Sequence, residues 1–243
     1  KYMKNNYELT KKLVREIPNT TIKRFIFAST AAVYGSIKKN KILENNFKSP
    51  QSPYGKSKLK AEIFIKKFLK NSKINFIILR LFNVAGANEK FKLGPYNPEY
   101  NHIFNKLIRN NKFKIYGTNY NTPDGTAVRD YVHPNDVANA FYKSHKYLVK
   151  KNKNEIFNCG SGKAFSVRNI VNSFVKHIDY KMEIISERRR RGDPSYILSN
   201  NNQIIRKLNI KFTDSNISNI ISSLISWKKK VPIHKKKRKK IFV

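Results

Sequence analysis

Tyr54 and Lys58 are the two residues of this chain whose types and spacing most directly predict chemistry. They lie four positions apart, and the segment that follows (59–69) is typical of a helix, so both side chains would share one helix face. An ammonium beside a phenol favours the phenolate, and we therefore expect the pKa of Tyr54 to fall from about 10 toward neutrality. Such a tyrosine can act as a general base. The alternative interpretation of this spacing is an exposed helical pair without chemistry.

Two hydroxyl residues, Ser29 and Thr30, follow the apolar run 25–28. The run predicts a buried parallel strand, and ligands of open α/β sheets bind at the carboxyl ends of such strands. These hydroxyls would then face a ligand beside Tyr54. The other interpretation is that they satisfy backbone groups at the end of the strand.

Five motifs in a fixed order resemble the UDP-glucose 4-epimerase family, within the extended short-chain dehydrogenase/reductase superfamily. The likeness runs from about residue 5 to about residue 230, and the joint occurrence of five ordered motifs makes it specific. The motifs occupy residues 25–35, 51–58, 79–87, 128–133 and 190–193.

This resemblance implies bound NAD and the interconversion of UDP-glucose and UDP-galactose through a 4-keto sugar. Tyr54 would take the proton of the sugar 4-hydroxyl while hydride leaves C4 for the nicotinamide. Lys58 would hold the nicotinamide ribose, and Thr30 would hydrogen-bond the reacting oxygen. The implied catalytic residues are Tyr54, Lys58 and Thr30, and the implied cofactor contacts are Tyr54, Lys58, Phe82, Asn5 and Ser29. Asn5 equally suits the start of a helix.

The same resemblance implies a set of contacts to the UDP-sugar. Arg129 and Arg190 match the arginines that clamp the diphosphate, which suits guanidinium groups because they offer paired donors with permanent charge. A solvated basic cluster is the alternative for residues 188–191, and a turn former is the alternative for Asn83. The implied substrate-binding residues are Thr30, Asn83, His102, Tyr116, Arg129, Arg190 and Asp193.

Other functions within and outside the family stay open. A sugar-nucleotide 4,6-dehydratase is disfavoured, because it would carry an acidic pair where this chain has Ala31 and Ala32. Epimerases of UDP-glucuronate, UDP-xylose or UDP-N-acetylglucosamine remain alternatives, since spacing does not reveal the width of a pocket. The rival from another class is a noncatalytic protein that binds polyanions.

Composition bounds the class of protein. The chain has 243 residues, 40% of them hydrophobic, which is enough for a sizeable core. Its formal net charge is +36, but the lysines are spread along the whole chain, so we do not expect nucleic acid as a partner. The sequence contains no long apolar run and no secretory signal, and we expect a cytoplasmic protein without membrane contact. The single cysteine, Cys159, excludes an internal disulfide, and we expect no metal site.

The elements that position these residues predict an α/β fold. We expect a Rossmann-like doubly wound parallel sheet with a smaller α/β substrate-binding domain. Predicted helices cover 5–16 and 59–69, lie near 102–109, 167–178 and 217–227, and begin at Pro134. Predicted strands cover 25–29, 76–81 and 114–116.

The predicted domain division places the carboxy-terminal part of the NAD-binding domain in residues 1–90 and the substrate domain in 91–243. Residues 232–243 would be a basic tail, and it stays open whether about 128–158 returns to the first sheet. A dinucleotide-binding fold needs a glycine-rich turn after its first strand, and this chain has none. The resemblance therefore implies that the first third of the enzyme is absent and that this segment alone is inactive. It also implies a homodimer in the complete protein, with helices 5–16 and 58–69 packed across a two-fold axis.

Overall fold

The structure is a computed structural model that describes residues 1–36, 41–88, 90, 93–95, 102–190 and 192–230. The predicted basic tail and Arg191 lie outside the described residues. The strands are β1 (Arg24–Thr30), β2 (Asn75–Leu81), β3 (Asn83–Val84), β4 (Lys112–Tyr116), β5 (Val128–Val132), β6 (Glu155–Cys159), β7 (Ala164–Ser166), β8 (Glu183–Glu187) and β9 (Tyr196–Ile197). The α-helices are α1 (Leu9–Glu16), α2 (Pro53–Leu69), α3 (Ile103–Arg109), α4 (Pro134–Lys151), α5 (Val167–Val175), α6 (Asn202–Leu208) and α7 (Ile217–Lys230), and a π-helical segment (Met3–Glu8) leads into α1.

A parallel sheet with the strand order β1-β2-β6 forms the first layer of the structure. Side chains of β2 alternate between its two faces, as the pleat requires. Phe76 and Ile78 pack with α1 and α2 on one face, whereas Ile77 and Leu79 pack with α4 and α6 on the other. Helices therefore cover both faces of the sheet, and the predicted Rossmann-like α/β fold is confirmed.

The remaining strands form two small sheets beside the first. One has the order β3-β5-β7, with β9 also paired to β5, and the other pairs β4 with β8 in parallel. A second apolar core lies between α3, α5, α7 and β4. Of the segment 128–158, β5 belongs to the second sheet, whereas residues 155–158 lie in β6 of the first sheet. The domain boundaries themselves stay predictions.

The buried carboxylate of Asp130 ties three segments together around β5. It accepts five hydrogen bonds, from the backbone N–H groups of Ser161, Gly162 and Ser199 and from the two serine hydroxyls. Burial raises the pKa of this carboxyl, and the donated hydrogen bonds oppose that rise. The next residue back along β5 is Arg129, so this cluster also fixes the strand that carries a predicted phosphate contact.

Most predicted elements are present, with longer bounds for several of them. The helix predicted from Pro134 begins there, with Asp136 buried in its first turn. Strands β3, β5, β7, β8 and β9 and helix α6 were not predicted. Within the described residues, no helix is long and apolar enough to cross a membrane.

Candidate active site

The first turn of α2 packs directly on the turn that follows β1. Ser52 caps the helix, because its side chain accepts a hydrogen bond from the N–H of Gly55. A Cβ atom at Gly55 would lie 2.5 Å from the carbonyl oxygen of Ala32, so only glycine allows this approach. Tyr54 is thereby held beside the short 3₁₀ turn (Ala31–Val33) that begins after Thr30.

Lys58 is placed one turn after Tyr54 on α2, as predicted. Its Nζ donates a hydrogen bond of 2.9 Å to the carbonyl oxygen of Ala28 and lies 4.8 Å from the centre of the Phe27 ring. Burial lowers the pKa of Lys58 below its usual value. The half-buried Tyr54 ring meets the ring of Tyr2 edge-on, with centroids 5.7 Å apart. The lowered pKa expected for Tyr54 stays a prediction.

The structure separates the two hydroxyls at the end of β1. Thr30 Oγ1 accepts a hydrogen bond from the N–H of Ala32 and caps the 3₁₀ turn. Ser29, which we expected to contact the cofactor, points to the opposite side of the strand. Its hydroxyl donates a hydrogen bond of 2.5 Å to Glu62 of α2. The reason is the alternation of side chains along a strand, which sends neighbouring residues to opposite faces.

Glu62 and Arg80 form a buried ion pair next to Ser29 that the sequence did not reveal. The guanidinium reaches the carboxylate through Nε and Nη2, the shortest distance being 2.7 Å. Its Nη1 also donates to the hydroxyl of Tyr34 and to the carbonyl oxygen of Glu44. Burial raises the pKa of Tyr34 to about 12, so the phenol stays protonated and donates to Asn158.

A second group of predicted residues lines one cavity of about 220 Å³ between β3, β4, β5 and α3. The Arg129 guanidinium pairs with the Asp193 carboxylate at 2.5 Å. The Arg190 guanidinium lies 3.9 Å from the centre of the Tyr116 ring. The structure thus brings together six of the implied substrate contacts: Asn83, His102, Tyr116, Arg129, Arg190 and Asp193.

Two further cations line this cavity and were not predicted. Lys106 lies on α3, and its Nζ is 5.8 Å from the centre of the Tyr116 ring. Lys114 precedes Tyr116 by two residues on β4 and pairs with Glu187, which raises the pKa of the lysine. The spacing in the sequence could have identified both lysines. Lys106 lies one helical turn after His102, and Lys114 lies two strand positions before Tyr116, so each shares a face with a predicted residue.

Phe82 and Asn5 do not line this cavity. Phe82 is buried with Val33, Tyr34 and Ile42 at the end of β2. Asn5 is exposed on the π-helical segment before α1, and it is the next residue, Asn6, that donates a hydrogen bond to Ser57 of α2. Their expected contacts with the cofactor stay predictions.

The ring of His102 lies at the wall of the cavity, against the rings of Phe104 and Tyr131. Burial lowers the pKa of His102 to about 4. The ring is therefore neutral at pH 7 and lines the cavity without a positive charge.

We predict that the imidazole of His102 titrates near pH 4 when followed by NMR, its signal being identified by its absence in His102→Gln. Because an unfolded chain takes up this proton near pH 6.5, the free energy of unfolding should fall as the pH drops from about 6.5 to about 4. A midpoint near 6.5 in the folded protein would show that the ring is not desolvated.

The chain is similar to known epimerases in sequence and in fold. The profile described as "NAD dependent epimerase/dehydratase family" matches residues 1–160. The UDP-glucose 4-epimerase of Streptococcus mutans is 35% identical over 237 residues, which cover 96% of this chain and 71% of that protein. The probable UDP-arabinose 4-epimerase 3 of Arabidopsis thaliana is 32% identical over 96% of this chain and 58% of its own length.

Among solved structures, the UDP-glucose 4-epimerase of Brucella ovis in complex with NAD superposes with a TM-score of 0.87. It is 29% identical in sequence, and the match covers 92% of this chain and 70% of that one. With the family profile matching well over half of the residues, the chain belongs to the NAD dependent epimerase/dehydratase family.

Proposed function

We propose that this chain carries the substrate site and the proton-transfer residues of an NAD-dependent UDP-sugar 4-epimerase that interconverts UDP-glucose and UDP-galactose. The observation that carries the proposal is the cavity between β3, β4, β5 and α3, which gathers the two arginines, the aspartate and the tyrosine that a UDP group needs. The similarity to UDP-glucose 4-epimerases over 96% of the chain supports it.

The residues at the start of α2 fit the nicotinamide end of NAD. An ammonium has three N–H donors, and Lys58 uses one of them on the carbonyl oxygen of Ala28. The other two suit the hydroxyls of a ribose. Bound NAD would supply the acceptor, and then the donor, for the hydride at C4 of the sugar.

Tyr54 moves the proton that accompanies this hydride. As a phenolate, it accepts the proton of the 4-hydroxyl, and it returns the proton after the 4-keto sugar has presented its opposite face. The positive charge of Lys58 stabilises the phenolate, and the hydroxyl of Thr30 donates to the oxygen on which charge develops.

The cavity holds the nucleotide while the sugar turns. Arg129 and Arg190 offer paired donors to the diphosphate, and Lys106 adds further positive charge. The ion pair with Asp193 orients the Arg129 guanidinium, and the carboxylate retains lone pairs for the hydroxyls of the uridine ribose.

A pentose substrate is the second candidate, since the similarity to a probable UDP-arabinose 4-epimerase also covers 96% of the chain. The hexose and pentose substrates differ by the hydroxymethyl group on C5, which only the hexose carries. Assays of the full-length protein with UDP-glucose and UDP-xylose as parallel substrates distinguish them through the ratio of kcat/KM. A protein that epimerises neither sugar contradicts the proposal.

We predict that Tyr54→Phe lowers kcat by about 10²- to 10⁴-fold, the usual contribution of a positioned acid or base, with little change in the Kd for UDP-glucose. Turnover of UDP-glucose and calorimetric binding in the full-length protein measure the two effects. The exposed Tyr142 of α4 supplies the control, Tyr142→Phe, which should keep the parent rate. A Tyr54→Phe variant with most of its kcat would exclude Tyr54 as the base.

Removal of the Arg190 guanidinium should mainly weaken nucleotide binding. Arg190→Ala is expected to raise the Kd for UDP by about 10- to 100-fold, which corresponds to the roughly 1.5–3 kcal/mol of a charged hydrogen bond. Titration calorimetry measures the change, with Arg188→Ala as the control, because Arg188 is exposed and does not line the cavity. Equal losses in the two variants would point to a general effect of charge.

We infer that the protein is a homodimer through α1 and α2. Leu9, Leu13 and Ile63 on these adjacent helices are each more than half exposed. We expect Leu13→Lys to shift the protein toward a monomer in sedimentation velocity, whereas Val149→Lys on α4 should leave its mass unchanged. A monomeric parent protein would refute this inference.

A further inference from the structure

We propose that Ser29, Glu62 and Arg80 are positioning residues for the epimerase reaction, because they lock the catalytic face of α2 onto the carboxyl end of β1. This inference rests on the proposed function. None of the three lines the cavity, and in this proposal they act through Tyr54, Lys58 and Thr30.

The first step of the argument is the register of the sheet. Ser29 of β1 and Arg80 of β2 are direct partners across the two parallel strands. Both side chains point to the α2 side, and the single carboxylate of Glu62 binds both of them. The helix is thereby tied to two adjacent strands at one level of the sheet.

The second step is the position of Glu62 on the helix. It follows Lys58 by four residues and Tyr54 by eight, so the three side chains lie along one face. At 1.5 Å per residue, Lys58 and Tyr54 are about 6 and 12 Å away along a rigid helix axis. Any shift of Glu62 along the sheet is therefore passed on to both groups.

The third step is the burial of these three residues, which ties their hydrogen bonds to one placement of α2 on the sheet. Glu62, Arg80 and Ser29 are at most 2% exposed, so water cannot replace a lost partner. The contact acts together with two others along the same helix. These are the approach of Gly55 to the Ala32 carbonyl and the hydrogen bond from Lys58 to the Ala28 carbonyl.

The fourth step is that the far side of Arg80 is also fixed. Its Nη1 donates to the Tyr34 hydroxyl at 2.8 Å and to the Glu44 carbonyl oxygen at 2.9 Å. Tyr34 ends the 3₁₀ turn that begins after Thr30. Arg80 therefore holds both the helix with Tyr54 and the turn with Thr30, which are the two sides between which a sugar hydroxyl would bind.

The test uses Ser29→Ala and Glu62→Gln in the full-length protein, with UDP-glucose as substrate. We expect each to lower kcat about tenfold or more, because misplacement of reacting groups by about 1 Å can cost 10²-fold, while KM changes less than about twofold. The midpoint of the acid limb of kcat against pH should move upward, since Lys58 then stabilises the Tyr54 phenolate less well. Thermal unfolding is recorded in parallel.

Two control variants separate positioning from stability. Asp136→Asn removes another buried carboxylate, which lies at the start of α4 and accepts a hydrogen bond from Ser215. Ser144→Ala removes a buried hydroxyl that has no hydrogen-bond partner among the described residues. Both controls should keep the parent kcat and pH midpoint, whatever their Tm.

The outcomes are distinct. If Ser29→Ala and Glu62→Gln keep the kcat and the pH midpoint of the controls, this inference is overturned and the proposed function stands. A parent protein without turnover of any UDP-sugar overturns the proposed function and this inference with it. If Glu62→Gln does not fold, Ser29→Ala still decides, because it removes one hydroxyl and leaves the ion pair in place.

Discussion

In the proposed site, the placement of Tyr54, Lys58 and Thr30 depends on one interaction, the buried ion pair between Glu62 and Arg80. Removal of two charges from water is costly, and removal of only one partner from such a pair costs about 3–5 kcal/mol. Here the neighbouring groups offset the cost of removing the two charges from water. The Glu62 carboxylate also accepts a hydrogen bond from Ser29, and the Arg80 guanidinium also donates to Tyr34 and to the Glu44 carbonyl oxygen. A buried, fully hydrogen-bonded pair of this kind is satisfied in one position of α2 on the sheet, and a shift of the helix along the strands would break it.

The cavity proposed to bind the substrate depends on a different carboxylate, that of Asp130. Asp130 holds β5, the turn after β6 and Ser199 together, and Arg129 leaves the same strand toward the cavity. Asn83 links the two parts of the proposed site, because it follows the last residues of β2 closely and donates to the Asp130 carbonyl oxygen. The residues proposed for proton transfer and those proposed for nucleotide binding therefore rest on separate polar clusters, which is why variants of Tyr54 and Arg190 should differ in kinetics.

Local features of the site could be predicted from the sequence, and long-range ones could not. The helix with Tyr54 and Lys58, and the strands before and after it, follow from spacing and apolar runs, while the six cavity residues follow from the family resemblance. The partner of Ser29 depends on strand register and on which face each residue occupies, and neither is visible in one sequence. For the same reason, a glutamate inside a lysine-rich helix gave no sign of its burial.

The net charge of +36 is a second case in which the sequence alone does not show which residues come together. Counted along the chain, the lysines indicate no particular ligand, because exposed charges are screened beyond about 10 Å. In the fold, Lys106, Arg129 and Arg190 converge on one cavity whose lining includes a single carboxylate, that of Asp193. Cationic side chains that converge on one cavity favour a phosphate ligand, and β5, α3 and the loop before β9 bring these residues together.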